Sequence, residues 1–98
     1  MAALTRLEPG APPLRTANLN RLENLAGALE SHGVHADVIA MPGRIPRLEV
    51  RTPDTAGAED IYAWRGEDGE WWYWWPWAER IADDVSSAAD RIADALTP

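Results

Sequence analysis

One stretch of the sequence limits the possible folds more than any other. Ile61-Tyr62-Ala63-Trp64-Arg65 and Glu70-Trp71-Trp72-Tyr73-Trp74-Trp75 flank the loop Gly66-Glu67-Asp68-Gly69. Two aromatic runs of strand length around a loop with two glycines specify a β-hairpin. Aromatic side chains suit a pleated surface, and glycine tolerates the positive φ that tight loops need. All six tryptophans and both tyrosines lie between Tyr62 and Trp77, and the chain has no phenylalanine. Proline has no N–H for a ladder, so Pro76 ends the second strand, bulges it or places it at an edge.

With Arg65 paired to Glu70 across the loop, Trp64 faces Trp71, Ala63 faces Trp72, Tyr62 faces Tyr73 and Ile61 lies opposite Trp74. Side chains alternate between the faces of a sheet, so this register divides the rings into two sets. Trp72 and Trp74 share a face with Ile61 and Ala63; Tyr62, Trp64, Trp71, Tyr73 and Trp75 share the other. The face that meets helices supplies core, since a large aromatic buries about 150–250 Å². A one-layered sheet leaves its second face uncovered, and rings there would exceed the apolar patch of about a few hundred Å² usual on a monomer. Inverting the hairpin relative to the helices would bury the five-ring set and expose Trp72 and Trp74.

The rest of the chain supplies two helices and two more strands. Leu19, Leu22, Ala26 and Leu29, widened by Leu25, recur at helical spacing and predict a helix from about Ala17 to His32. Thr16 or Asn18 is placed to cap its start, and Gly33 to end it. Val34 to Met41 reads as a strand, and Arg47 to Thr52 alternates strictly with Leu48 and Val50 inward. Val85, Ala88, Ala89, Ile92 and Leu96 predict a second helix capped by Asp83 or Asp84. Ile81 continues that stripe, so a start near Trp77 is the alternative. The order α-β-β-β-β-α gives an α+β fold, a four-stranded antiparallel meander with both helices on one face. Residues 16–98 form the single domain. Residues 1–15, with Pro9, Gly10, Pro12 and Pro13, read as a flexible proline-rich tail.

Composition narrows the partners. Residues 1–53 hold six arginines against five acids, whereas residues 54–98 hold three against eleven, and the net charge is −7. That balance disfavours nucleic acid and anionic membrane, which bind through cationic side chains. No run approaches the ~20 apolar residues of a membrane span, and Met1 to Pro13 lacks the apolar core of a signal peptide. The absence of cysteine excludes disulfides and thiolate metal sites and suits a reducing compartment, so the expected location is the cytoplasm.

No catalytic signature stands out. His32 and His35 form an isolated pair without the third ligand that zinc requires. Ser86 and Ser87 sit where serine caps a helix, and the acid pairs Glu67-Asp68 and Asp83-Asp84 fit a turn and a helix start. No glycine-rich phosphate loop is present, and no cofactor, metal or catalytic residue is assigned. Tyr62, Trp64, Trp71, Tyr73 and Trp75, bordered by Arg47 and Arg51, form the expected partner-binding surface, because tryptophan, tyrosine and stacked arginine concentrate at interfaces. The expected function is a non-catalytic protein-interaction module that self-associates as a homo-oligomer or docks a regulatory protein. The alternative is a small-molecule-binding accessory protein or small enzyme of a biosynthetic pathway.

The stretches Asp60 to Trp64, Gly69 to Ile81 and Ala88 to Ala93 resemble a group of small tryptophan-rich actinobacterial proteins of unknown function, over roughly residues 19–96. That resemblance implies a bacterial cytoplasmic setting and no functional residue. The helix, sheet and helix order also resembles secretion-chaperone-type folds, which implies protein binding and dimerisation by analogy of fold.

Overall fold

A computed structural model describes residues 12–52 and 57–96. The described residues form an α+β fold of two helices and a five-stranded antiparallel sheet of order β1-β2-β3-β4-β5. The elements are α1 (Pro12–Glu30), β1 (His35–Ile39), β2 (Arg47–Arg51), β3 (Glu59–Arg65), β4 (Trp71–Trp74), β5 (Arg80–Ala82) and α2 (Val85–Leu96). The meander is as expected from sequence, with one strand more. Residues 1–11 of the expected tail lie outside the described residues, as do residues 53–56 of the loop after β2.

α1 opens at Pro12, earlier than the periodicity indicated. Prolines are tolerated there because the first turn of a helix has no intrahelical acceptors for its N–H groups. Arg15 then ties the helix to the β1–β2 connection, donating to the carbonyls of Arg44 (3.2 Å) and Met41 (3.5 Å). The buried stripe runs Asn18, Leu22, Leu25, Leu29, while Leu19 is only half-buried. Gly33, with φ of +77°, ends the helix as expected. Its N–H bonds to the Glu30 carbonyl, and the next N–H, of Val34, reaches back to Leu29, the paired closure in which a left-handed residue satisfies the last carbonyls.

Asn18 is no cap. It is wholly buried on the sheet side of α1, where Nδ2 donates to the carbonyl of Ala63 at 2.9 Å. The Gly66 N–H bonds to the Glu70 carbonyl, so Tyr62, Trp64 and Gly66 turn their amides toward β4, and Ile61, Ala63 and Arg65 turn theirs toward β2. Yet β2 pairs with β3 only as far as Leu48 opposite Ile61. Two residues before Leu48 stands Pro46, which has no N–H to give. The asparagine amide supplies the missing donor from the helix side.

Two successive hairpin loops share one design. In the first, Gly66 N–H bonds to Glu70 and Gly69 N–H to Gly66; in the second, Trp75 N–H bonds to Glu79 and Ala78 N–H to Trp75. Each is a three-residue loop closed by a residue in the left-handed region. In the first that residue is Gly69 (φ +82°); in the second it is Ala78 (φ +68°). The second loop creates β5, the strand that sequence periodicity hid. Arg80-Ile81-Ala82 is only three residues long, and Ile81 falls at helical spacing from Val85. α2 therefore starts at the later of the two expected positions, capped by the Asp84 carboxylate, which accepts from the Ser87 N–H at 2.8 Å.

The first loop also sets the hairpin register one residue away from expectation. Because Gly66 and Glu70 belong to the ladder, Arg65 pairs with Trp71, Trp64 with Trp72, Ala63 with Tyr73 and Tyr62 with Trp74. A slip of one exchanges the faces of every β4 side chain. One core results, in which Leu22, Leu25 and Leu29 of α1 and Ala88, Ala89 and Ile92 of α2 cover Ala36, Leu48, Val50, Ile61, Ala63 and Tyr73 of the sheet. Tyr73 is the one aromatic ring buried in it among the described residues.

Candidate functional site

Alternation along the paired strands defines the opposite, uncovered face. Cross-strand neighbours Asp37, Glu49 and Asp60 form an acidic row over β1, β2 and β3. Like charges placed side by side repel, and arginines on both flanks compensate them. Arg51 lies 3.8 Å from Asp37 and 3.5 Å from Glu49, and Arg47 lies 3.3 Å from Asp60. His35 Nε2 adds a contact to Asp37 at 3.1 Å.

The other half of the face is aromatic. Tyr62 pairs with Trp74 and Trp64 with Trp72 across β3 and β4, and Arg80 of β5 lies beside Trp74. The Arg80 guanidinium sits over Trp72 at 4.6 Å and Trp74 at 5.5 Å from the ring centroids. Gly66 makes room for it, since a Cβ there would stand 3.2 Å from Arg80 Nη2. The Trp74 indole N–H donates to the Trp64 carbonyl (3.1 Å), fixing one ring against the neighbouring strand. Trp64 remains 38% exposed, and Ile45 at the rim is 55% exposed. Between Ile45, Tyr62, Trp64, Trp74, Trp75 and Pro76 lies a shallow apolar hollow of about 350 Å³.

The seven residues assigned from sequence to one partner-binding surface are thus divided. Tyr62, Trp64, Arg47 and Arg51 lie on the uncovered face. Tyr73 does not: it is 2% exposed, and its hydroxyl donates to the Arg21 carbonyl of α1 at 2.9 Å. Burial pushes its phenol pKa above the ordinary value, opposed by nearby Arg21 and reinforced by Asp84. Trp71 lies on the α1 side, under Arg21 at 4.8 Å. It meets Trp64 edge to face at 6.2 Å, where the two sets touch at the end of the hairpin. Trp75 packs against the core and stacks on the exposed Trp77, with centroids 5.3 Å apart and planes within 4°. Sequence reasoning missed Trp72, Trp74 and Arg80. The signal was in the loop: a glycine in its last place marks the three-residue type, which fixes the parity of β4.

The histidines of the His-x-x-His pair part company, since His32 contacts Asp90 of α2 at 3.2 Å while His35 faces Asp37. Among the described residues, no three His, Asp or Glu side chains are grouped to hold a metal ion, and no helix is long and apolar enough to cross a membrane. Compared with known proteins, the chain matches no family model, and no curated protein and no solved structure is significantly similar to it.

Proposed function

We propose that the protein is a non-catalytic protein-interaction module that docks its partner on the uncovered face of the sheet. The observation that carries this reading is the row of Tyr62, Trp64, Trp72 and Trp74 standing on rigid paired strands with no element of the described chain over it. Indole and phenol groups bring large apolar area at little entropic cost, since few torsions are frozen on contact. Arg80, already stacked on two rings, adds a fixed cation to the surface. Charge favours protein over nucleic acid or anionic lipid, because the net −7 opposes both. A cytoplasmic setting belongs to the same reading.

The hollow beside Ile45 supports a second reading, a small-molecule-binding protein. It ranks behind the first because ligand pockets enclose most of their ligand and carry converging polar groups, whereas this hollow lies open along the sheet and is lined mainly by apolar side chains.

A photo-crosslinking residue placed at Ile45, with another at the exposed Glu23 of α1 as control, tests the proposal. Crosslinking in cells should give a discrete protein adduct from position 45 and none from position 23. The adduct should disappear when Trp72 and Trp74 are both changed to serine in a chain that still folds. Equal adducts from both positions, or none from position 45, would reject a protein-binding face.

A further inference from the structure

The hollow beside Ile45 has a one-sided hydrogen-bonding chemistry. Its polar side-chain groups are the Tyr62 hydroxyl, the indole N–H groups of Trp64, Trp74 and Trp75, and the Arg65 guanidinium. Indole and guanidinium nitrogens donate and never accept, and a phenol carries one donor beside its lone pairs. Among the described residues, no side-chain carboxylate or amide oxygen lines the hollow, and Arg65 is the one charged group in its wall. Trp74 uses its donor within the chain, on the carbonyl of Trp64. The Tyr62 hydroxyl, the Trp64 and Trp75 indoles and the Arg65 side chain make no hydrogen bond or ion pair among the described residues. The hollow therefore presents unused donors with a positive charge among them.

From these unused donors we infer that the partner segment seated in the hollow is a proline-rich stretch in the polyproline II conformation. The inference rests on the protein-docking reading of the same face and names the chemistry of its partner. Unused donors call for free acceptors. An α-helix offers none along its length, because its carbonyls are bonded internally. A β-strand offers carbonyls alternating with N–H groups, and those N–H groups would lose water here with no side-chain acceptor to meet them. A polyproline II segment leaves every carbonyl free, and each proline removes an N–H that would otherwise go unmet. A segment rich in carboxylates would also match the donors, but the net charge of −7 repels it. Neutral carbonyls meet the Arg65 cation and the indole N–H groups without that penalty.

Shape agrees with the chemistry. Tyr62 and Trp64 stand two residues apart on one face of β3, so their side chains leave the strand about 7 Å apart. A ring seated between two others needs about 3.5 Å of contact on each side, which is the same span. The walls are held in advance: Trp74 by its bond to the Trp64 carbonyl, Trp75 by its stack on Trp77. Polyproline II is itself preformed, so little entropy is lost when the two meet. A hollow of about 350 Å³ takes a short run of such a segment.

Selection from a random peptide library displayed on phage, against the immobilised full chain, is the test. Enriched peptides, titrated into the chain and followed by tryptophan fluorescence, should carry prolines about three residues apart, the repeat of the helix. Changing those prolines to alanine should weaken binding about tenfold, as should Trp64→Ala in the protein, the scale of losing an interface aromatic. Trp64→Phe keeps a ring but removes the N–H and should weaken binding about fivefold, the scale of one hydrogen bond. Far-UV circular dichroism confirms that each variant remains folded, and Glu23→Ala on α1 should leave binding unchanged. Enrichment of acidic or proline-free sequences overturns the inference, as does proline-peptide binding indifferent to both Trp64→Ala and Trp64→Phe. If the position-45 crosslink still captures a protein in that event, the docking face stands and its occupant alone is wrong; if that crosslink is absent too, both readings fall.

Discussion

Removing the side chain of Asn18 should unsettle the sheet from the helix side. The amide spans from α1 to the Ala63 carbonyl at a level where β2 has given way to Pro46. In Asn18→Ala that carbonyl keeps no donor, and a stranded buried acceptor costs about 1–3 kcal/mol. Loss of packing around a wholly buried side chain adds about 1 kcal/mol. One term opposes these: Asn18 Oδ1 is itself buried without a partner, and deleting it returns about 1 kcal/mol. The net is a loss of about 2 kcal/mol, or roughly 8–16 °C in Tm for a domain of this size. Asn18→Asp keeps the shape but replaces the donor by a carboxylate, so at neutral pH it should cost more than the alanine variant. A carboxyl buried there binds its proton more tightly folded than unfolded, so the folded state holds more protons and stability rises as pH falls. Urea denaturation of the three chains at pH 7 and pH 5, followed by circular dichroism, measures this. An alanine variant within about 0.5 kcal/mol of the parent, less than a net hydrogen bond contributes at its weakest, would refute the reasoning; so would an aspartate variant with the parent's pH dependence.

Three further outcomes follow from the geometry. Ala78→Gly should stabilise the fold by about 0.5–1 kcal/mol, because φ of +68° strains any residue with a Cβ; a lower Tm would contradict the loop assignment. Tyr73→Phe should cost about 1 kcal/mol through the lost bond to the Arg21 carbonyl. In the parent, the raised phenol pKa means that the unfolded chain releases its proton first, so stability should fall above about pH 10, and less steeply in Tyr73→Phe. The Asp84 carboxyl is held below its ordinary pKa, chiefly by the Ser87 N–H. Its stabilising effect is present above the unfolded carboxyl range and lost as pH falls through the folded value, so α2 should fray in acid, and Asp84→Asn should flatten that dependence, read by amide exchange of Ser86 to Ala88.

The α+β class and the path of the chain were legible because each rests on a local pattern. Leu22, Leu25 and Leu29 repeat with the helical period, Leu48 and Val50 alternate with the strand period, and Gly33 marks the helix end. What could not be seen depended on partners far away in sequence. Asn18 looks like a cap until Pro46 and Ala63 are brought beside it. β5 is too short for a period to show, and its turn uses an alanine where glycine is usual. The face assignment turned on a single residue of register. Eight aromatic positions in sixteen residues look alike in either register, and the side-chain period of two converts the smallest slip into a complete exchange. Tyr62 and Trp64 could be placed correctly because Ile61 and Ala63 face the core between them, whereas β4 offers no aliphatic residue to mark its inner side.

Whether indoles 72 and 74 project away from the helices is best decided by proton NMR of the backbone around the hairpin. In a pair that exchanges no hydrogen bonds, opposing α-protons nearly touch and give an intense nuclear Overhauser effect. The account requires such signals between Ala63 and Tyr73 and between Arg65 and Trp71. Signals joining Ala63 to Trp72 and Ile61 to Trp74 in their place would turn β4 over, bury the rings on which the docking surface depends, and contradict it.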